Sequence, residues 1–219
     1  MQAKQLFDGV FNIDGKLATL NLVRGNRIYS EELVKIEGKE YRLWNPFRSK
    51  LAAAIINGLR GMHIRKASKV LYLGAATGTT SSHVSDIVGK EGTVYCVEIS
   101  ERNMRELVKA CEARANMLPL LEDARSPEVY AKEVGICDVL YQDVSARDQA
   151  DILKRNGALL KKDGFAYVAI KSQSIDVTRK PAEVFKEFLE SVSEEFNVLE
   201  KIDVAPYSML HLFVLLQKK

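Results

Sequence analysis

The sequence lacks the features that mark several large classes of protein. None of its apolar runs approaches the roughly 18 residues that a membrane-spanning helix requires. Its three cysteines, Cys96, Cys111 and Cys137, are far apart in sequence. We therefore expect each of them to be a small buried side chain rather than part of a metal or redox site. The first residues, "MQAKQLFDGVFNIDGK", have no apolar centre of the kind found in signal peptides. A cytoplasmic protein without membrane contacts is therefore expected.

The usual glycine motifs for phosphate binding are also missing, although a glycine loop is present. In "VLYLGAATGTTSSHV", Gly74 and Gly78 follow a short apolar run and precede a helical pattern. A dinucleotide site needs glycine where Ala76 stands, because the backbone there approaches a pyrophosphate closely. No Gly-Lys-Ser/Thr sequence follows, which excludes a P-loop. The loop therefore favours a nucleotide-like ligand without phosphate, and S-adenosylmethionine fits that description.

The rest of the chain alternates between strand and helix patterns. Residues 1–47 carry hairpin signals at Asp14-Gly15 and around Gly38, and they predict a small β-rich domain. In residues 48–219, five strand patterns alternate with helices, and two final strands follow without a helix between them. This order predicts an α/β, Rossmann-like fold typical of S-adenosylmethionine-dependent methyltransferases. Its seven-stranded, mostly parallel sheet would end in an antiparallel C-terminal hairpin.

Three carboxylates, Glu98, Asp123 and Asp143, end successive predicted strands. The carboxyl ends of parallel strands line the crevice in which doubly wound folds bind ligands. Glu98 is placed to accept hydrogen bonds from ribose hydroxyls, and Asp123 to accept one from an adenine amino group. Thr79 and Thr80 open the helix after the glycine loop and offer donors to a carboxylate. A single acid at a strand end often caps a helix or faces solvent, but three beside a glycine loop favour a cofactor site.

Four side chains that can take part in catalysis are predicted at the same edge of the sheet: Lys50, Asp143, Lys171 and His211. This set suits methylation of a ribose 2′-hydroxyl, a poor nucleophile whose proton must be removed or polarised. Lys171 could act as the base or could orient the hydroxyl, and the sequence leaves both roles open.

Basic residues precede the glycine loop and are candidates for contacts with RNA. We expect Arg42, Arg48, Arg65 and Lys66 to contact phosphate groups. The net charge of +3 permits an anionic partner without requiring one. The sequence shows no aromatic stacking platform like that of an independent RNA-binding module. A solvated charged surface remains the alternative for about half of these residues.

Four blocks, in order along the chain, resemble the fibrillarin family in its short archaeal form: "VLYLGAATGTTSSHVSDIVG", "GTVYCVEIS", "YQDVSARDQADILKRN" and "AIKSQSID". The resemblance covers nearly the whole chain and implies an RNA ribose 2′-O-methyltransferase of box C/D ribonucleoproteins, acting on ribosomal RNA and some transfer RNA. It implies a catalytic tetrad of Lys50, Asp143, Lys171 and His211. The cofactor residues that we predict are Gly74, Ala76, Thr79, Thr80, Glu98, Ile99, Asp123, Ala124, Asp143, Val144, Ser145 and Ala146.

The resemblance also implies partners. A guide RNA would pair with the substrate, and a Nop-family scaffold protein would join the enzyme to a kink-turn-binding protein. At one point the chain departs from the family, because "DVSARDQ" stands where "DVAQ" is expected, which weakens Ser145 and Ala146 as cofactor contacts. Two other functions stay open, methylation of a protein glutamine and a non-catalytic scaffold role. The paired lysines argue against the first, which would not need them, and the intact lysine–aspartate–lysine set argues against the second.

Overall fold

The computed structural model describes residues 2–219, whose strands form two sheets. The N-terminal sheet is antiparallel with the order β1-β2-β3-β5-β4, and its strands are β1 (Ala3–Phe7), β2 (Val10–Ile13), β3 (Lys16–Leu20), β4 (Leu33–Ile36) and β5 (Lys39–Leu43). Two-residue turns at Asp14-Gly15 and Glu37-Gly38 close two of its hairpins, and all four residues have positive φ. That backbone matches the right-handed twist of the paired strands. Both predicted hairpins are present.

The larger sheet has seven strands in the order β11-β12-β10-β9-β6-β7-β8. They are β6 (Lys69–Leu73), β7 (Thr93–Glu98), β8 (Met117–Leu121), β9 (Cys137–Gln142), β10 (Leu160–Lys171), β11 (Phe196–Asp203) and β12 (His211–Lys218). Strand β12 runs antiparallel to both of its neighbours, whereas the other pairs are parallel. The predicted seven-stranded sheet with an antiparallel C-terminal hairpin is therefore confirmed.

Helices cover both faces of the larger sheet, and within residues 2–219 none is long and apolar enough to cross a membrane. A short 3₁₀ helix, Pro46–Arg48, precedes α1 (Lys50–Ile56), α2 (Thr79–Val88), α3 (Glu101–Glu112), α4 (Pro127–Val134), α5 (Gln149–Gly157), α6 (Ser172–Ile175) and α7 (Pro181–Ser191). Alternate residues of β6 lie in separate apolar clusters: Tyr72 is in one, and Leu71 and Leu73 are in the other. Burial on both faces explains why the strand patterns are apolar throughout. All three cysteines are free and buried, as predicted.

A buried charge cluster joins the N-terminal sheet to α2. Arg42 of β5 is fully buried, and its Nη1 lies 2.8 Å from Asp86 Oδ2, while Nε donates to Glu31 Oε1 at 2.6 Å. Arg114 approaches the other oxygen of Asp86 at 2.6 Å. Two guanidinium groups thus face two carboxylates, which offsets the cost of removing these charges from water. The prediction that Arg42 contacts RNA is wrong, because a phosphate in solvent cannot reach this side chain.

The apolar core is continuous across the predicted boundary between residues 1–47 and 48–219. Val10, Leu17 and Trp44 share one cluster with Leu51 of α1 and Val84 of α2. His83, also on α2, is fully buried, and its two ring nitrogens lie 2.7 Å from Thr19 Oγ1 and Tyr29 Oη. The N-terminal sheet therefore supports the helix that follows the glycine loop. The division into two domains stays a prediction.

Candidate active site

A cavity of about 550 Å³ opens at the carboxyl edge of the parallel strands. The chain runs from β6 outward to β7 and β8, and then returns to the other side of β6 as β9 and β10. Ligands of doubly wound folds bind at this kind of switch point, where strand ends diverge and leave a crevice. All the predicted cofactor residues line the cavity: Gly74, Ala76, Thr79, Thr80, Glu98, Ile99, Asp123, Ala124, Asp143, Val144, Ser145 and Ala146. Lys50 and Lys171 line it as well.

The glycine loop fits closely over the end of β9. Gly74 has φ +80°, and a Cβ atom there would lie 2.8 Å from the carbonyl oxygen of Asp143. A side chain at this position would therefore push apart the ends of two central strands. Ala76 follows in a left-handed conformation with φ +49°, and its N–H donates to Glu98 Oε2 at 2.8 Å. Gly74 is thus required by the packing around the cavity rather than by a phosphate.

Glu98 has the hydrogen-bonding capacity that a ribose diol requires. Besides Ala76 N–H, the N–H of Ser100 donates to Oε1 at 2.9 Å, and Asn103 Nδ2 lies 3.4 Å from the same oxygen. An ionised carboxylate has about four acceptor sites. The backbone bonds fix the orientation of Glu98, and acceptor capacity remains for hydroxyl donors. The residues present therefore fit a ribose at this position.

Polar groups stand on both sides of Glu98. The N–H and guanidinium of Arg125 hold Asp123, with Arg125 N donating to Oδ1 at 2.9 Å. Arg125 also forms a two-pronged contact with Asp148, at 2.8 and 2.9 Å, and so joins the loops after β8 and β9. On the other side, the Thr80 hydroxyl donates to Ser49 Oγ at 3.0 Å. Thr80 is therefore already engaged by the fold, and its oxygen is left to act as an acceptor.

Lys50, Asp143 and Lys171 form a compact, mostly buried ionic cluster. Asp143 Oδ1 lies 3.0 Å from Lys50 Nζ and 2.8 Å from Lys171 Nζ. Lys171 Nζ also donates to the carbonyl oxygen of Asp143 at 2.7 Å and to Ser145 Oγ at 3.1 Å. Burial opposes ionisation of Asp143, but the two ammonium groups outweigh it and lower the pKa of this carboxyl. One carboxylate therefore holds two cations at the cavity wall.

Local sequence explains how the two lysines reach this point. Lys50 is the first residue of α1, and that helix begins there because Ser49 Oγ accepts the N–H of Ala52 at 3.3 Å. Lys171 is the last residue of β10, two strands from β6. Its side chain is only 11% exposed, which shields the ion pair with Asp143 from solvent.

His211 lies beside the cluster without lining the cavity. It opens β12 and is paired with Lys171 in the sheet, and its Nδ1 lies 2.7 Å from Ser208 Oγ. Burial lowers the pKa of His211, and Lys50 and Lys171 lower it further, whereas Asp143 opposes them. His211 is therefore neutral at neutral pH. The four predicted catalytic residues are brought together at one edge of the sheet.

Gln149 is a site residue that the sequence reasoning missed. It is fully buried, and its Oε1 accepts the N–H of Lys171 at 3.1 Å. Its Nε2 donates to the carbonyl oxygen of Ala146 at 2.9 Å. Gln149 thus ties the end of β10 to the loop after Asp143. The signal in the sequence is the glutamine of "DVSARDQ", which stands three residues after Ala146.

The predicted RNA contacts fall on different surfaces. Arg48 is exposed and lines the cavity next to Lys50. Arg65 and Lys66 are exposed but precede β6, so they lie at the amino edge of the sheet, opposite the cavity. Lys66 there pairs with Glu91 at 3.7 Å. Of the basic residues predicted to contact RNA, Arg48 is the one beside the site.

Comparison with known proteins agrees with this geometry. The family model described as fibrillarin matches residues 1–219. The fibrillarin-like rRNA/tRNA 2′-O-methyltransferase of Pyrococcus furiosus is 49% identical, over 98% of this chain and 97% of its own length. Two solved structures extend the comparison. Aeropyrum pernix fibrillarin with natively bound S-adenosyl-L-methionine aligns with a TM-score of 0.87 at 40% identity, covering 94% of this chain and 92% of that one.

The second structure is a fibrillarin/Nop5p complex, which aligns with a TM-score of 0.91 at 38% identity. The alignment covers 99% of this chain and 100% of that one. Identity above 30% over nearly the full length, together with the whole-chain family match, settles the relationship. The chain belongs to the fibrillarin family.

Proposed function

We propose that the chain is an S-adenosylmethionine-dependent RNA ribose 2′-O-methyltransferase of box C/D ribonucleoproteins, acting on ribosomal and transfer RNA. The observation that carries the proposal is the buried Lys50–Asp143–Lys171 cluster at the wall of a cavity whose other residues suit a nucleoside. Methylation of a glutamine side chain would not call for two ammonium groups at the acceptor. The relatives named as rRNA/tRNA 2′-O-methyltransferases support the same reaction.

The cavity residues would hold the cofactor by complementary chemistry. Glu98 would accept from the ribose hydroxyls, Asp123 from the adenine amino group, and the first N–H groups of α2 would donate to the carboxylate of the amino-acid end. S-adenosylmethionine, when bound, supplies an electrophilic methyl group on a positively charged sulfur. Bound cofactor in the Aeropyrum pernix fibrillarin supports this use of the cavity.

Lys171 has the surroundings of an orienting cation. An ammonium group has three N–H donors and no acceptor, and three oxygens lie 2.7 to 3.1 Å from Nζ. The contact with Ser145 Oγ is the longest of these, and Ser145 is exposed. A ribose oxygen can therefore take its place. We infer that Lys171 Nζ donates to that oxygen and stabilises the negative charge that develops on it.

Lys50 and His211 complete the proposed chemistry. Lys50 adds a second positive charge near the ribose oxygen, and Asp143 fixes both ammonium groups in position. His211 is neutral because its pKa is lowered, and it is the group that we propose accepts the proton. Its contact with Ser208 sets the ring orientation.

The partners follow from the family and from the chemistry of the substrate. RNA and a Nop-family scaffold protein are partners of the chain, as the related fibrillarin/Nop5p complex supports. We further propose that the scaffold connects the chain to a kink-turn-binding protein, and that the assembly works in the cytoplasm with a box C/D guide RNA.

The test is single-turnover methyl transfer to a guided RNA in the reconstituted assembly. Lys171→Ala should lower the rate by about 100-fold or more while cofactor binding persists, because it removes charge stabilisation in the transition state. Lys161→Ala is the matched control, since Lys161 forms an exposed 2.7 Å ion pair with Asp138 away from the cavity. A target nucleotide with a 2′-deoxyribose should accept no methyl group. Methylation of that RNA, or full activity of Lys171→Ala, would contradict the proposal.

A further inference from the structure

The segment before β12, residues 204–210, carries a serine whose hydroxyl contacts the ring of His211. Ser208 Oγ lies 2.7 Å from Nδ1 of His211, and both side chains are half-buried. The N–H of Ser208 donates to the carbonyl oxygen of Val204 at 3.0 Å, which fixes the backbone that carries the hydroxyl. Among the hydrogen bonds of residues 2–219, the ring forms this one through Nδ1, and Nε2 remains available to a substrate.

The backbone next to His211 is fixed as well. Leu210 has φ +60°, a left-handed conformation that residues other than glycine adopt rarely. Its carbonyl oxygen accepts the hydroxyl of Ser172 at 2.9 Å and the N–H of Ser172 at 3.3 Å. Ser172 is fully buried and directly follows Lys171, so these bonds join the start of β12 to the end of β10. The surrounding structure thus maintains an uncommon backbone conformation beside the reacting groups, as functional sites often do.

The proton on the neutral His211 ring decides whether Nε2 can act as a base. A neutral imidazole has one N–H donor and one acceptor nitrogen, and the partner of one nitrogen selects the state of the other. The Ser208 hydroxyl can accept a hydrogen bond from Nδ1 or donate one to it, and the 2.7 Å distance fits both directions. The surroundings of the ring therefore have to select the tautomer.

The available acceptors favour a proton on Nδ1. The charged groups that face His211 from other elements are Lys50 of α1, Lys171 of β10 and Asp143 after β9. Ammonium groups donate and cannot accept, and both carboxylate oxygens of Asp143 are already engaged by the lysines. An N–H on Nε2 would find no acceptor there that the lysines do not hold, whereas an N–H on Nδ1 finds Ser208 Oγ.

The main chain supports the same tautomer. A backbone hydrogen bond with Met209 raises the pKa of His211, because the ring donates in such a bond and the carbonyl oxygen accepts. Nδ1 is the ring nitrogen closer to the backbone, so it is the nitrogen that reaches a carbonyl group two residues away. Two oxygens, one from a side chain and one from the main chain, thus surround Nδ1.

We propose that Ser208 is a positioning residue that keeps the proton of neutral His211 on Nδ1, so that Nε2 accepts the proton of the ribose 2′-hydroxyl. This inference rests on the proposed function, in which His211 is the proton acceptor, and adds the group that prepares it. The hydroxyl proton moves to Nε2, and the electron pair of the O–H bond stays on the oxygen. The oxygen bonds to the methyl carbon, and the sulfur keeps the electron pair of the bond that breaks.

The first test determines the tautomer by ¹⁵N NMR of the full chain saturated with S-adenosylmethionine. Long-range ¹H–¹⁵N correlations distinguish a protonated ring nitrogen from an unprotonated one, and His211→Gln assigns the signals among the three histidines. Above the pKa of His211, the wild-type chain should carry the proton on Nδ1. Ser208→Ala should lower the ratio of Nδ1–H to Nε2–H about 2- to 10-fold, the effect of one hydrogen bond. Ser208→Thr, which keeps the hydroxyl, should retain the wild-type ratio.

The second test is the pH dependence of single-turnover methyl transfer in the complete assembly. The rate should rise with pH through the pKa of His211, because only the neutral ring accepts a proton. Ser208→Ala should lower the plateau about 10-fold, a part of what a general base contributes. Ser208→Asp supplies a group that only accepts and is negative, so it should keep the Nδ1–H tautomer and move the midpoint to higher pH. Ser193→Ala, which removes an exposed hydroxyl that donates to the Glu190 carbonyl oxygen at 2.7 Å, is the matched control.

The outcomes separate this inference from the proposed function. A proton on Nε2 in the wild-type chain would overturn the role of Ser208, and so would an unchanged tautomer ratio in Ser208→Ala. A slower Ser208→Ala variant with an unchanged ratio would mean that the serine only stabilises its loop. No methyl transfer by the wild-type assembly would instead refute the proposed function.

Discussion

Gln149 shows how a single residue fixes the reactive end of a strand. Strand β9 ends at Gln142, so the last residues of β10 extend beyond their parallel partner. The side chain of Gln149 replaces the missing strand partner at this point. It accepts the N–H of Lys171, and its Nε2 lies 3.4 Å from the carbonyl oxygen of Lys171. An amide side chain thus continues the hydrogen bonding of the sheet by one residue. The position of Lys171 Nζ depends on this bond.

We expect Gln149→Leu to lower the single-turnover rate by about 100-fold, because a displacement of about 1 Å at a reacting group has that effect. It also leaves the buried N–H of Lys171 without an acceptor, which costs about 1–3 kcal/mol of unfolding free energy. The loss should persist at saturating cofactor, which separates it from the weaker cofactor binding expected when the Nε2 bond to Ala146 is lost. The measurements are methyl transfer, calorimetry with S-adenosylmethionine and urea unfolding. Gln217→Leu, at a half-buried residue near the far end of β12, is the control, and an unchanged rate in Gln149→Leu would exclude the positioning role.

His211 leads to a prediction about its own pKa and about the pH dependence of stability. Burial, Lys50 and Lys171 lower the pKa of His211, so its imidazole should titrate below the usual value of about 6.5 in NMR. Lys50→Ala removes one of those causes and should raise the pKa. In the wild-type chain, His211 binds fewer protons in the folded state than in the unfolded state below about pH 6.5. The free energy of unfolding that His211 contributes therefore decreases as the pH falls. A His211 pKa at or above 6.5, or a downward shift in Lys50→Ala, would contradict the assignment.

At the scale of elements, the strand ends could be predicted and the buried charges could not. Apolar runs followed by acids gave the positions of Glu98, Asp123 and Asp143, because parallel strands share one carboxyl edge. Arg42 lies in the strand sequence "KEYRL", where a charged residue predicts a side chain that faces solvent. Its partner Asp86 is 44 residues away on α2, and no local pattern shows that pairing.

The charge cluster between β5 and α2 leads to a stability prediction. Arg42→Met leaves Asp86 and Glu31 with one guanidinium fewer in a buried site, and breaking such a pair costs about 3–5 kcal/mol. Urea unfolding can be followed by fluorescence of Trp44, which is the single tryptophan and only 2% exposed. Arg27→Met, at an exposed arginine, should change stability by less than about 0.5 kcal/mol.

If Arg42 contacted RNA, the Arg42→Met variant would lose RNA affinity rather than stability. Arg42→Met would then retain the free energy of unfolding of the wild type and lose affinity for RNA in the assembly. A wild-type unfolding midpoint in Arg42→Met would therefore contradict the structural role. We expect the N-terminal sheet to influence the cavity through α2, because a weakened Arg42–Asp86 cluster loosens the helix that follows the glycine loop.

For the whole molecule, the distribution of charge limits what the isolated chain can do with RNA. Its net charge is only +3, and the exposed basic residues that we predicted to contact RNA lie on separate surfaces, with Arg48 at the cavity and Arg65 and Lys66 at the opposite edge. Phe47 is the exposed aromatic ring near the site, and it contacts the half-buried Tyr207, which is distant in sequence, so the sequence alone shows no stacking platform there.

We therefore expect the isolated chain to bind S-adenosylmethionine as tightly as the assembly does, yet to methylate RNA only together with guide RNA and the scaffold protein. The cofactor cavity is complete within this chain, whereas one arginine beside the site contributes a slope of only about −0.9 to log K against log salt concentration. Calorimetry on the isolated chain and the assembly, and methyl transfer by each between 50 and 200 mM salt, test both parts. The isolated chain should show a shallow salt dependence of RNA binding and no target preference. Sequence-specific methylation by the isolated chain at the rate of the assembly would mean that the chain carries an RNA-recognition surface beyond Arg48 and the cavity.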